Sequence, residues 1–116
     1  MDKFINECYL QKTNQFDALD VWNKINKIGV KIALSLDNKG ENVIARLNSD
    51  NSKIIGVISD EDSKTLKPFF EAGWNEYDKD TKKINNPLFV GSISKVDDKA
   101  DENKRIGICV FVKGCK

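Results

Sequence analysis

The chain has 116 residues, 40% of them apolar and 32% charged, with a formal charge of +1. That length and composition fit one folded soluble domain and exclude a disordered polyelectrolyte. A charge so close to zero excludes a broadly basic nucleic-acid coat, and no apolar run approaches the roughly 20 residues of a membrane span.

The charge is unevenly spread: seven bases and six acids over residues 1–49, four and eight over 50–80, and eight and four over 81–116. Any anion site is therefore expected to be local. The polar first residues lack the apolar core of a signal peptide, so the expected compartment is the cytoplasm, with no membrane partner.

In chain order, residues 1–7 read as a polar lead-in, and CYLQK over 8–12 as a weakly alternating first strand. In FDALDVWNKINKI, Leu19, Trp22 and Ile25 recur at helical spacing, which predicts a short helix over 18–25 packed through Trp22 and broken at Gly29. The run VKIALSL alternates, with Val30, Ile32, Leu34 and Leu36 on one face of a half-buried strand. After a loop at 37–41, residues 42–74 read as strand, tight turn, strand and helix. NVIARL leads into the turn sequence NSDNS, and KIIGVI follows, with Gly56 marking a bulge or bend.

Ser59 then precedes Asp60, Glu61 and Asp62, a hydroxyl cap followed by negative charge where the helix dipole favours it. Leu66, Phe69 and Phe70 form the apolar face of a helix over 60–72. Gly73 ends it, and Pro68 predicts a bend or split near residues 64–67. Residues 75–87 read as a mobile polar loop. LFVGSISKV, a charged turn at 97–103 and RIGICVFV complete the strands, with Gly91 as a kink.

The predicted fold is mainly β with two helices (α+β): a single domain over 1–116, built as a six-stranded, partly closed barrel of the OB or SH3-like kind. The expected core is Trp22, Ile32, Leu34, Ile44, Ile55, Leu66, Phe70, Ile93, Ile108 and Val110.

Cys8, Cys109 and Cys115 have no CxxC spacing, and the chain contains no histidine. Reduced thiols are expected, with Cys109 inaccessible and Cys115 reactive, and with no metal and no cofactor. There is no Gly-Lys-Ser/Thr phosphate loop and no Gly-x-Ser-x-Gly elbow, so an enzyme is not expected.

The ordered series ALDVWNKI, IALSLDNKGENVIARL, KIIGVISDED, LKPFFEAGW and FVGSISKVDDKADENKRIGICVFVK resembles the HIRAN domain family over nearly the whole chain. These are small OB-like barrels, found fused to DNA translocases or as standalone bacterial or phage modules. The resemblance implies binding to the 3′ end of single-stranded DNA. Family members stack bases on an aromatic pair before the first helix and grip the terminal nucleotide with a loop reading Asn-Pro-Tyr-Asp-x-Asn-Ala-Ile. A basic residue at the start of the main helix meets phosphate.

On this sequence the aromatic pair falls on Gln15 and Phe16, and the loop on residues 37–44, where Asn42 and Ile44 match the pattern. The helix opens with Asp60, Glu61 and Asp62 rather than with a base. The implied nucleic-acid-binding residues are therefore Phe16 and Asn42, with Lys12, Lys39 and Arg46 as candidate phosphate contacts. The expected function is a non-catalytic single-stranded DNA-binding module, weakened by the missing site residues. The alternative is a protein-interaction module that kept the barrel and lost the DNA site.

Overall fold

The computed structural model describes residues 3–37 and 40–112, with side chains described from residue 5 onward. Lys39 and Cys115 lie outside the described residues. Among the described residues, eight strands and two α-helices follow one another as β1 (Lys3–Tyr9), α1 (Trp22–Ile25), β2 (Lys31–Leu36), β3 (Val43–Leu47), β4 (Ile54–Val57), α2 (Asp60–Glu71), β5 (Glu76–Asp78), β6 (Lys83–Asn85), β7 (Phe89–Val96) and β8 (Ile106–Val112).

Six strands form one antiparallel sheet in the order β1-β8-β7-β2-β3-β4, curled into a half-barrel, as expected for an OB-like fold. The two edges meet just after β1. There Gln11 exchanges backbone hydrogen bonds with Val57 of β4 (2.7 and 3.0 Å), while Leu10 N–H donates to Ile106 O of β8. One residue pair thus bridges the seam, and the structure is a partly closed barrel.

Glycine makes that seam possible. A Cβ on Gly56 would lie 2.9 Å from Leu10 Cβ and 3.2 Å from Gln11 O, so only glycine lets the two chains approach. Gly56 also sits at a register shift between β3 and β4, the bulge expected from KIIGVI. At Gly91 a Cβ would lie 2.5 Å from Ile32 Cγ1, so Gly91 admits the neighbouring isoleucine. The irregularity in β7 comes later, between Ile93 and Lys95.

The barrel interior is apolar. Ile32, Leu34, Val43, Ala45, Leu47, Ile55, Ile93, Ile106, Ile108 and Val110 meet there, and Leu66 and Phe70 of α2 close one end. All ten expected core residues are buried except Trp22, which packs half-buried against the core. Ile44 is buried on the opposite face. Its neighbours Ala33, Ser35 and Arg46 are buried there as well, because the β5–β6 hairpin packs on β2.

Several expectations are corrected. The lead-in at 1–7 includes most of β1, paired with β8 from Lys3↔Val112 to Tyr9↔Gly107. Its polar side chains find partners far away in sequence: Asn6 Nδ2 donates to Asp62 Oδ1 at 3.1 Å. The loop at 75–87 contains the β5–β6 hairpin. Pro68 does not split α2, which runs unbroken from Asp60 to Glu71.

The first helix is a single turn at Trp22–Ile25, shorter than the expected 18–25. Ala18 and Val21 before it and Ile25 within it are buried, and Leu19 is 53% exposed. Asp17 explains that phase. Its N–H donates to Ile54 O (2.7 Å) and its carboxylate accepts from Ile54 N–H (3.1 Å), so the edge of β4 sets the chain direction before the helix begins.

Candidate functional site

Where the barrel closes, the chain after β1, the start of α2 and the β7–β8 loop enclose a groove of about 1100 Å³. On one side Gln11, Lys12 and Gln15 border a 3-10 turn at Thr13–Gln15. Lys12 adopts a left-handed backbone (φ 57°), held by its N–H donating to Asn103 Oδ1 at 3.0 Å. The Thr13 hydroxyl anchors the turn by donating to Glu102 O at 2.6 Å. Lys12 and Gln15 are thereby placed, exposed, at the groove.

The other side is α2. Ser59 caps it as its sequence predicts: the hydroxyl accepts from Asp62 N–H (3.2 Å) and donates to Asp62 Oδ2 (2.9 Å). Ser63, fully buried, accepts from Val43 N–H (3.1 Å) and donates to Ile58 O (3.0 Å), fixing the helix start against β3. Asp60 and Glu61 then line the groove, and Lys64 and Lys67, one and two turns further on, do so as well. These two lysines join the groove in addition to the residues that the sequence implies. The i+3 spacing of Glu61, Lys64 and Lys67 is the signal that places them on one side.

Lys12, Lys64 and Lys67 share the groove with Glu41, Asp60, Glu61 and Glu102, three cations with four carboxylates. The groove is therefore amphoteric, with mixed charge around amide side chains from Gln11, Gln15, Asn42 and Asn103.

The implied binding residues divide. Lys12 and Asn42 line the groove, although Asn42 is also a structural clip: its Nδ2 donates to Ile58 O (3.2 Å) and Asp60 Oδ1 (2.5 Å). Phe16 follows the 3-10 turn, is 37% exposed, and is not among the residues that line the groove. Arg46 is elsewhere. Only 4% exposed, its Nε donates to Ser35 Oγ (2.8 Å), its Nη1 donates to Asn51 O (3.0 Å), and its guanidinium lies 3.7 Å from the Tyr77 ring centroid. It does not line the groove, because it lies on the sheet face where the β5–β6 hairpin packs on β2 and Tyr77 covers its guanidinium.

Of the thiols, Cys109 is partly buried rather than inaccessible, and its Sγ lies 3.7 Å from a Glu7 carboxylate oxygen. Burial first, then the neighbouring Asp62, pushes the Cys8 thiol up to about 12. Among the described residues no group of three or more Cys, Asp or Glu is disposed to hold a metal ion, and no helix is long and apolar enough to cross a membrane. No family model, curated protein or solved structure matches this chain.

Proposed function

We propose that this chain is a non-catalytic binding module of HIRAN type whose seam groove takes the 3′ end of single-stranded DNA weakly. The observation that carries the reading is the convergence of Lys12, Lys64 and Lys67 with the amides of Gln11, Gln15 and Asn103 in one groove, with the exposed Phe16 next in the chain after Gln15. Lysines meet phosphate, amides meet base edges or sugar, and an aromatic face stacks a base, worth about 1–3 kcal/mol. The OB-like barrel supports the same reading.

Weakness follows from the carboxylates. Asp60 and Glu61 stand where the family places a base, and each repels a phosphate drawn in by the lysines. Arg46 adds nothing to the groove, being buried elsewhere.

The four carboxylates against three lysines favour a second reading, a protein-interaction module whose partner brings a basic segment. Glu61→Lys separates the two, because Glu61 is exposed, whereas Asp60 holds Asn42. On the DNA reading this substitution raises affinity for a single strand about tenfold, and Phe16→Ala removes most of what the wild type shows. If Glu61→Lys leaves oligonucleotide binding absent at low salt, the protein-partner reading takes its place.

A further inference from the structure

A second cavity, sharing no lining residue with the groove, lies between the β5–β6 hairpin and the barrel. Its volume is about 230 Å³, the size for a small molecule rather than a polymer. Arg46 is on its wall. Of the five N–H groups of a guanidinium, two on Arg46 donate to protein acceptors, Ser35 Oγ and Asn51 O.

Among the described residues the hydrogen bonds of Arg46 go to Ser35 and Asn51 and none to a carboxylate, and its guanidinium lies against the Tyr77 ring. Burial pulls the guanidinium pKa down, the direction expected of a cation removed from water without a counter-ion. A buried, fixed guanidinium with unused donors is a receptor for a planar anion, which it can grip with two parallel hydrogen bonds.

The rest of the cavity narrows the chemistry. Leu36, Phe70 and Tyr77 supply apolar and aromatic wall, so the occupant has an apolar body. Asp37 and Glu76 line the same cavity together with Lys79, and their negative charge disfavours a phosphate dianion more than a monoanion. We propose that this cavity is a binding site for a small aromatic or aliphatic monocarboxylate, its carboxylate on Arg46 and its apolar body against Leu36, Phe70 and Tyr77. The Tyr77 ring, 3.7 Å from the guanidinium, holds Arg46 in place without ligand.

The test is a titration of the full chain with sodium benzoate at constant ionic strength, followed by amide and aromatic NMR shifts. Benzyl alcohol, benzylamine and inorganic phosphate serve as parallel probes. The expected result is saturable movement of Leu36, Arg46, Phe70 and Tyr77 signals with benzoate, and a loss of affinity of at least about tenfold in Arg46→Met. Groove residues such as Lys12 and Lys64 should not move. Benzoate that produces no saturable shifts at those four residues overturns the proposal, as does equal binding of benzylamine. Preferential binding of phosphate overturns the carboxylate assignment. If Arg46→Met does not fold, the wild-type shift map across the four probes decides alone.

Discussion

Asn75 shows how much one side chain can hold in this barrel. It is 2% exposed, sits in the left-handed region (φ 53°), and satisfies four backbone groups. Its Nδ2 donates to Leu34 O (2.9 Å) and Phe89 O (2.8 Å), and its Oδ1 accepts from Leu88 N–H (2.7 Å) and Phe89 N–H (2.9 Å). Asparagine tolerates that φ better than most residues, and its amide is both donor and acceptor. Asn75→Ala should cost about 3 kcal/mol in urea unfolding, because buried backbone groups lose their partners. Asn75→Gly should recover little of that loss, since relief of the φ does not restore the hydrogen bonds.

Cys8 gives a prediction of a different kind. Folding holds its thiol protonated up to about 12, whereas a free thiol ionises near 9.0. The folded state therefore binds the proton more tightly. The resulting stability is complete below pH 9 and is lost as pH rises from 9 toward 12. Melting temperatures across that window should fall more steeply for the wild type than for Cys8→Ala.

At the scale of elements, those whose instructions are local were legible in the sequence. The cap and acids of α2 and the turn between β3 and β4 stand where their residues place them. By contrast β2, expected to be half-buried, has Ile32 and Leu34 buried on one face and Ala33 and Ser35 on the other. Ser59→Ala should lower stability by about 1 kcal/mol by removing the cap, readable in the same unfolding experiment.

The elements that escaped depend on distant partners. β1 looks polar because Asn6 is satisfied by Asp62, 56 residues on. The β5–β6 hairpin looks like loop because its anchors, Tyr77 on Arg46 and Ile84 N–H donating to Asn51 Oδ1 (3.1 Å), lie outside its own run. The candidate site shares this limit. Lys12 and Asn42 were found, but the burial of Arg46 depends on a hairpin that local pattern does not reveal, and Lys64 and Lys67 join the groove only through the orientation of α2.

Across the whole molecule, the barrel separates two concavities of different character: a large amphoteric groove at its seam and a small one with a buried cation under the hairpin. The first is the one sized for a polymer end. If DNA is its ligand, the contacts available are three lysines and one exposed ring, so binding is weak and strongly dependent on salt. Each phosphate contact contributes about 0.7 to the salt slope on a single strand.

The most direct measurement is fluorescence anisotropy of a labelled single strand, with its 3′ end free or blocked, titrated with wild-type protein at low and near-physiological salt. The account predicts weak binding at low salt that favours the free 3′ end and has a salt slope of no more than about 2, set by the three groove lysines. Equal affinity for free and blocked ends, or no binding at low salt, would contradict it.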